Sequence, residues 1–557
     1  MDNHVIPRDI LESYDQITIE KQISNDIILF KLFDKDFLLI CPDIEEPVSR
    51  ASVYLYNDDG FDFPHIMLRE EKITDSKFLA EGNYRWVCLY EQESVVHSIV
   101  PYEEKIIDTI DRLIELLSMT PIEREIEFQK EFMFYWNDAS LGNSVQIYLT
   151  QEKEFSRMSV FCSKSEKRYI ETGMTLSDLG DMDKKERKWL QHIEMDVFFI
   201  PIIDTRGILP PHKNHPWTIT NVRDIVYGKQ IDHINTDTFQ KICREKVSTK
   251  DIVIVFGMQG VQSKVTFAAK LKCKNILGRT LFEKICEDAL EIVPISTDRK
   301  DYAFLSYQIG NDIGLMKKKI LLIGGGSLGS YVAHELVKNG VSSLKICDGD
   351  ILADENIMRW AFGIASGLNK AKILSWQLEW LHPEIHIEAI EKNIDCDMLV
   401  EEVKNVDMVI STIGSSDTQL SFNKALKDNQ CHIPVIYTWL EAGGKNSHIL
   451  IVDYTKQGCY ECLYTDEQGA LVNNRANTYG DTDADRGIIR NGCGGTRAAY
   501  GTAVILRTTA ALLDAIQKVL SGELTENTLI DITPESISYS SQAVPMEVCG
   551  CCGNRAE

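Results

Sequence analysis

The pattern of apolar and polar positions divides the 557-residue chain into three regions. Residues 1–160 begin with short apolar runs typical of strands and end in two stretches of helical periodicity, the first with one apolar face. Residues 161–310 alternate strand-like and helical pieces, and residues 311–557 alternate continuous apolar strands with helices. The pattern therefore predicts an α+β domain, an α/β middle domain and a C-terminal α/β domain with a doubly wound parallel sheet.

Composition narrows the possible partners and compartments. The chain carries 59 Lys and Arg against 84 Asp and Glu, a formal charge of −25. This excess argues against nucleic acid as a partner and against a polybasic membrane surface. The first residues do not show the basic segment followed by an apolar stretch that is typical of a secretory signal peptide. No apolar run approaches the roughly 20 residues that span a bilayer. We therefore expect a cytoplasmic protein whose 15 cysteines are metal ligands, nucleophiles or buried apolar residues rather than disulfides.

The middle region offers little chemistry that can be assigned from sequence. Its loop LPPHKNHPWT contains His212 and His215, which could serve as metal ligands or acid–base groups. Because no acidic residue or cysteine lies at helical spacing from either histidine, we expect an ordinary exposed loop.

A glycine-rich turn after the strand ILLI predicts a nucleotide site. Gly324, Gly326 and Gly329 fit the spacing GxGxxG at the start of a helix, which is typical of a Rossmann-like domain. The first glycine permits a tight turn, the second lets phosphate approach, and the third lets the helix pack on the strand. Asp348 ends the next strand, where it can accept from ribose hydroxyls. A dinucleotide oxidoreductase would share these features.

The residues that follow favour a nucleoside triphosphate. Asp350 leads to Asn356, Arg359 and Lys370, and cations beside a phosphate pocket can stabilise departing pyrophosphate, which hydride transfer does not need. The run DGDILADENIMRW, GLNKAK and LHPE resembles the D-x-D, N-x-x-R, G-x-x-K-A and (N/H)-P pattern of the ThiF/MoeB/HesA superfamily, the adenylating core of ubiquitin-activating enzymes. The resemblance covers about residues 318–557.

The resemblance implies roles for the matching residues. The glycines would cradle ATP, Asp348 would bind ribose, and Asn356, Arg359 and Lys370 would contact the phosphates and stabilise adenylate formation. Lys372 fits less well than Lys370, because Lys370 has the family's spacing to Pro383. Where the family usually has an aspartate associated with Mg²⁺, this chain has Gly414, and Asp417 is a weak candidate replacement.

Four cysteines form two C-x-x-C pairs far apart in the sequence. Two such pairs satisfy a tetrahedral thiolate shell for Zn²⁺ and match the structural zinc site of the ThiF/MoeB type. We expect Cys551 to be a bystander, although it could replace Cys549 as a ligand. The predicted ligands are Cys459, Cys462, Cys549 and Cys552.

Two further cysteines are candidate acyl carriers. Cys493 lies among glycines after a long polar stretch, and it resembles the catalytic cysteine of the family's crossover loop. Cys88 on its own fits a buried small apolar residue. Its place after a strand-rich meander and before helices, over about residues 20–140, resembles the active cysteine of bacterial ubiquitin-conjugating enzymes. The eukaryotic His-Pro-Asn tripeptide is absent, which leaves His65 and Asn83 as guesses for oxyanion support.

Together these resemblances predict a fused enzyme that activates and conjugates. It would use ATP, with Mg²⁺ as a further cofactor, to adenylate a protein carboxylate ending in Gly and form a thioester on Cys493. It would then pass the acyl group to Cys88 and deliver it to a target amine. The domain order resembles that of CBASS antiphage accessory ligases, whose substrate is a CD-NTase, and adenylating relatives imply a homodimer. The alternatives are activation of a sulfur-carrier protein and a non-catalytic nucleotide-binding scaffold.

Overall fold

The structure is a computed structural model whose contacts divide the chain into two compact units. Among the described residues, the first unit ends at Arg299 and the second begins at Lys300. No helix in the described part of the chain is long and apolar enough to cross a membrane. The structure describes residues 7–43, 45–46, 48–58, 60–67, 82–90, 98–149, 152–162, 168–171, 191–228, 230–275, 277–310, 315, 317–363, 367–382, 385–478, 488–490, 496–540 and 547–553.

The first unit begins with an antiparallel meander in which neighbours along the chain are neighbours in the sheet. Helix α2 (Tyr102–Leu117) packs on this sheet through Ile106, Ile110 and Leu113, which confirms the predicted apolar face. Helices α3 (Pro121–Lys130) and α4 (Phe132–Ala139) follow, and α3 starts at a capping box formed by Thr120 and Glu123. The preceding elements are α1 (Pro7–Glu12), β1 (Ile17–Gln22), β2 (Ile27–Leu32), β3 (Lys35–Ile40), β4 (Ser52–Tyr56) and β5 (Tyr84–Val87).

Seven of the described strands then close a barrel in the order β10-β11-β12-β6-β8-β7-β9. The barrel begins at Ser144, so the division that the pattern predicts at residue 160 falls inside it. The reason is a long-range parallel pairing of β6 with β12, which local periodicity does not reveal. The strands are β6 (Ser144–Tyr148), β7 (Ser156–Cys162), β8 (Arg168–Glu171), β9 (Gln191–Pro201), β10 (Ile252–Gln259), β11 (Lys264–Cys273) and β12 (Ala289–Arg299), with helices α5 (Ile219–Tyr227), α6 (Thr236–Arg244) and α7 (Leu281–Glu283).

The histidine-containing loop of the barrel differs from its prediction. The His212 side chain is only 10% exposed, because its ring contacts the Asp62 carboxylate and stacks on Phe128 with centroids 4.5 Å apart. The prediction of an ordinary exposed loop is therefore wrong for His212, whose partner lies 150 residues away in the sequence. His215 is exposed, as predicted.

The second unit contains an eight-stranded sheet in the order β15-β14-β13-β16-β17-β18-β21-β22. The first five strands of that order are parallel, as predicted, and the last three extend the sheet in antiparallel fashion. The strands are β13 (Lys319–Ile323), β14 (Ser343–Cys347), β15 (His386–Ile390), β16 (Met408–Ser411), β17 (Val435–Leu440), β18 (Ser447–Val452), β21 (Thr528–Ile532) and β22 (Ile537–Ser540), with β19 (Ile488–Arg490) and β20 (Thr496–Ala498) forming a separate pair.

Helices cover both faces of this sheet. Along β13, Ile320 and Leu322 belong to one core, whereas Leu321 and Ile323 belong to a second core on the opposite face. The first core includes residues of α9, α10 and α13, and the second includes residues of α11 and α12. The helices are α8 (Tyr302–Gln308), α9 (Ser327–Lys338), α10 (Lys370–Leu381), α11 (Cys396–Glu402), α12 (Ser416–Asp428) and α13 (Thr502–Ser521).

The strand order fixes where a ligand can reach the sheet. Strand β13 lies between β14 and β16, so the chain leaves it first to one side and later to the other. In doubly wound sheets, ligands bind at the carboxyl ends of the strands where the order reverses in this way.

Candidate nucleotide pocket and thiol cluster

A cavity of about 560 Å³ opens at this switch point. Its walls come from the segments that follow β13, β14, β16 and β17, together with Tyr500. The cavity brings together all but one of the residues that the sequence predicts for the nucleotide; the exception is Gly329. The predicted residues that line it are Gly324, Gly326, Asp348, Asp350, Asn356, Arg359 and Lys370.

The glycine turn owes its shape to two close approaches. Gly324 has a φ of +97°, which L side chains rarely adopt. A Cβ on Gly329 would lie 1.9 Å from the carbonyl oxygen of Gly324, so only glycine lets α9 pack here. A Cβ on Gly326 would meet nothing within 4 Å. The three glycines therefore have different duties: Gly324 and Gly329 shape the turn, and Gly326 keeps its wall of the cavity open.

Two side chains brace the turn from outside the motif. The indole of Trp360 donates to the carbonyl of Gly325 at 2.8 Å, and the hydroxyl of Thr412 donates to the carbonyl of Gly324 at 2.9 Å. The backbone N–H of Gly325 in turn donates to the Asp348 carboxylate at 2.6 Å. Burial raises the pKa of Asp348, and the nearby amide donors partly offset this effect.

The two predicted cations reach the cavity from different elements. Lys370, at the start of α10, has a side chain only 11% exposed, and its ammonium lies 2.8 Å from the Asp350 carboxylate. The guanidinium of Arg359 donates to the Asn356 side chain at 3.4 Å and lies 4.8 Å from the centre of the Tyr500 ring. The pocket therefore presents positive charge held by a carboxylate, an amide and an aromatic face.

The structure separates the other candidates. Lys372 pairs with Glu391 at 3.1 Å and does not line the cavity. Gly414 lines the cavity, whereas Asp417 is exposed in the first turn of α12 and is not among the lining residues. The geometry thus favours Lys370 over Lys372 and gives no support to Asp417 as a metal ligand.

A buried histidine behind the cavity wall escapes sequence analysis. Trp439 lines the cavity and stacks on His448 with ring centroids 5.0 Å apart. The two ring nitrogens of His448 lie 2.6 Å from Asp531 and 2.7 Å from Glu441, and the side chain is 3% exposed. Although burial opposes the charge, hydrogen bonds to the two carboxylates raise the pKa of His448. The only sequence signal was a histidine within an apolar strand, which usually marks an ordinary core residue.

The four paired cysteines converge as predicted. Their sulfur atoms lie within 4.8 Å of one another, with separations of 4.0 Å for Cys459–Cys462, 3.8 Å for Cys459–Cys549 and 3.3 Å for Cys462–Cys552. Cys551 stays outside this group, and its sulfur accepts from the Asn423 side-chain amide at 3.2 Å.

The two proposed acyl carriers differ in how much is described. Cys493 lies outside the described residues. Cys88 directly follows β5, is partly exposed, and its sulfur lies 3.8 Å from the carbonyl oxygen of Tyr90. His65 lies beside it, and the backbone N–H of Cys88 donates to the His65 carbonyl at 2.8 Å. Asn83 is exposed, and its N–H and carbonyl are occupied by Asn57.

Comparison with known proteins assigns the C-terminal region. Residues 311–547 match the model of the ThiF family. The chain contains a ThiF-family domain. It is 28% identical over 186 residues to the ATP-dependent ubiquitin transferase-like protein Cap2 of Pseudomonas aeruginosa, covering 31% of this chain and 32% of Cap2. It is 26% identical over 156 residues to the sulfur carrier protein ThiS adenylyltransferase of Escherichia coli, covering 28% of this chain and 61% of that protein.

These similarities are partial. The chain spans less than two thirds of each of these two relatives. Among solved structures, Escherichia coli MccB is similar over 43% of this chain and 67% of its own, with 21% identity and a TM-score of 0.34. The assignment of a ThiF domain to residues 311–547 therefore comes from the family match, and the geometry of the pocket agrees with it.

The glycine geometry predicts opposite effects of two matched substitutions. Gly329→Ala should lower thermal stability, because its Cβ would collide with a backbone oxygen. Gly326→Ala should leave the melting temperature near that of the wild type and weaken ATP binding, because its Cβ would project into open space in the cavity. Scanning fluorimetry with and without ATP separates the two results, and equal melting temperatures for the two variants would contradict the assignment.

The buried histidine predicts an alkaline loss of stability. The pKa of His448 is raised in the folded chain. Its stabilising contribution to the free energy of unfolding is therefore fully present below the ordinary histidine pKa, and it is lost as the pH rises through the pKa of the folded state. As the pH is raised from below the ordinary histidine pKa, the melting temperature should fall more in the wild type than in His448→Gln. His386→Gln, which alters an exposed histidine, is the control. If the melting temperatures of the wild type and His448→Gln changed in parallel with pH, His448 would not be charged in the folded chain.

Proposed function

We propose that this protein uses ATP to activate the C-terminal carboxylate of a protein and then conjugates that protein to an amine. The observation that carries the proposal is the switch-point cavity, where a glycine turn and the N-terminus of α9 meet Arg359 and Lys370. Exposed N–H groups at a helix N-terminus bind phosphate. The two cations can offset the charge that develops on pyrophosphate as the carboxylate attacks the α-phosphate.

The residues around the cavity do not fit the Mg²⁺ site that is usual in the family. Gly414 has no side chain to ligate a metal, and Asp417 does not reach the cavity. The chain's own contribution to charge stabilisation comes from Arg359, Lys370 and the backbone N–H groups of the turn.

Two thiols would carry the acyl group in turn. Cys493 displaces AMP to form a thioester, and Cys88 then takes the acyl group in a thiol exchange that is nearly isoenergetic. Cys88 is suited to the second role by its partial exposure after β5, with the meander before it and α2–α4 after it. An amine of the target finally attacks the Cys88 thioester.

The cysteine cluster fits a structural zinc ion. Four sulfurs at about 2.3 Å from Zn²⁺ in tetrahedral array would lie about 3.8 Å apart. Three of the sulfur pairs are 3.3 to 4.0 Å apart, and all four sulfurs lie within 4.8 Å of one another. Cys459, Cys462, Cys549 and Cys552 would hold the ion, which would join residues 459–462 to the segment near residue 550. This ion would stabilise the fold and take no part in the chemistry.

The relatives supply the proposed biological setting. Similarity to Cap2 supports a role in CBASS antiphage defence, with a CD-NTase as the activated protein and a cytoplasmic homodimer as the working form. Similarity to the ThiS adenylyltransferase supports a second candidate, activation of a sulfur-carrier protein. The first is favoured because a carrier-activating enzyme has no use for a second acyl-accepting thiol in an N-terminal unit.

The thioester relay can be read directly from non-reducing gels. The protein is mixed with ATP, Mg²⁺ and either a CD-NTase ending in Gly or the sulfur carrier ThiS. The CD-NTase should give a thiol-sensitive adduct that is lost in Cys493→Ala and that stalls on Cys493 in Cys88→Ala. An adduct that forms normally in Cys493→Ala would refute the relay, and an adduct with ThiS alone would favour the second candidate.

Metal analysis tests the cysteine cluster with a matched pair of variants. Cys552→Ser should lose zinc and stability, because it removes one of the four converging sulfurs. Cys551→Ser should retain about one zinc per chain, because its sulfur is not among the four that converge. A zinc content well below one ion per wild-type chain would refute the site. Zinc loss in Cys551→Ser but not in Cys552→Ser would show that Cys551, rather than Cys552, is the fourth ligand.

A further inference from the structure

The segment beside Cys88 places a histidine next to that residue. Ile66 and Val87 form an antiparallel bridge, flanked by hydrogen bonds from Met67 to Trp86 and from Cys88 to His65. In this register His65 lies directly across from Cys88. The backbone hydrogen bond of 2.8 Å from Cys88 to His65 therefore holds the two residues next to each other.

The backbone of His65 is held in an uncommon conformation. Its φ is 64°, in the left-handed region that few non-glycine residues occupy. The conformation is fixed from both sides, because the His65 N–H donates to the Tyr135 hydroxyl at 2.8 Å and the His65 carbonyl accepts from Cys88. Such positions persist where the surroundings over-determine them, and they cluster at functional sites.

The ring of His65 has a carboxylate behind it. Nε2 of His65 lies 3.2 Å from Glu127 on α3, and Lys130 donates to the same carboxylate at 2.9 Å. Burial opposes its charge, but hydrogen bonds from Lys130 and His65 lower the pKa of Glu127. Glu127 is therefore ionised at neutral pH. A carboxylate on Nε2 holds the ring in one orientation, stabilises an imidazolium, and leaves Nδ1 to exchange protons.

We propose that His65 is the acid–base residue that helps an amine attack the acyl group carried by Cys88, with Glu127 as its positioning residue. The inference rests on the proposed function, because it requires an acyl group on Cys88. Nδ1 takes a proton from the amine as the new C–N bond forms. The C–S bond breaks and its electron pair stays on sulfur. The imidazolium then returns the proton to the Cys88 thiolate, so the products are an amide and a free thiol.

The other ionisable groups around His65 affect any pH profile. Helices α3 and α4 contribute charged and phenolic groups, the histidine's own segment contributes a carboxylate, and β5 contributes a guanidinium. Burial raises the pKa of Tyr135 well above neutrality, so it does not titrate in the range that matters. These groups are Glu127, Lys130, Tyr135, Asp62 and Arg85.

The test loads Cys88 without using ATP or the second unit. A short peptide ending in Gly-Gly, supplied as a mercaptoethanesulfonate thioester, exchanges onto the thiol of the full chain, and mass spectrometry confirms the site. Free lysine is then added, and the rate of amide formation is followed from pH 6 to pH 9. The variants are His65→Asn, which keeps a residue that tolerates positive φ, and Glu127→Gln. Glu125→Gln, exposed on the same helix, is the control.

We expect His65→Asn to load like the wild type and to form amide about 10²-fold more slowly. The plot of its rate against pH should lose the bend that a titrating base produces, and added imidazole should restore part of the rate. Glu127→Gln should form amide more slowly, keep the bend and gain nothing from added imidazole, and Glu125→Gln should match the wild type.

Two negative results have different meanings. If Cys88 loads and His65→Asn forms amide within threefold of the wild-type rate with the same pH profile, the acid–base role of His65 is wrong while the relay stands. If the wild-type thiol does not accept the peptide, and the ATP-driven assay gives no Cys88 adduct, both the relay and the role of His65 fail.

Discussion

The packing of α9 against the turn after β13 is the constraint on which the candidate site depends. Because Gly329 lies against the backbone of Gly324, the helix begins at the carboxyl edge of the sheet and directs its free N–H groups into the switch-point cavity. Apolar helices cover both faces of the sheet, so this edge is where polar groups can gather. The braces from Trp360 and Thr412 keep the turn in place.

Around that turn, charge is arranged in opposed pairs rather than as a uniform field. Lys370 faces Asp350, Arg359 is engaged by Asn356 and Tyr500, and His448 is held between Asp531 and Glu441 behind Trp439. Each cation is thus positioned before a ligand arrives, which limits the reorganisation needed during reaction. The net charge of −25 bears on none of this: it argues against nucleic acid and does not identify the protein substrate.

The sequence predicted what depends on local order. The glycine turn, the cations of the pocket, the parallel strands and the four converging cysteines all follow from short motifs or apolar runs. The contact of His212 with Asp62, the closure of the barrel by β6 and β12, and the network around His448 join residues far apart in the chain. Periodicity does not report such pairings. Asp417 shows the reverse case, because it is close in sequence to Gly414 but is exposed and is not among the residues that line the pocket.

In the proposed function, ATP binds in the switch-point cavity and Lys370 contributes to its affinity. The most direct test is a titration of the full chain with a fluorescent ATP analogue, comparing Lys370→Ala with Lys372→Ala. Lys370 lines the cavity, whereas Lys372 lies two residues away and pairs with Glu391. We expect the dissociation constant to be at least about tenfold larger for Lys370→Ala and nearly unchanged for Lys372→Ala. Equal affinities for the two variants, or a loss in Lys372→Ala alone, would contradict it.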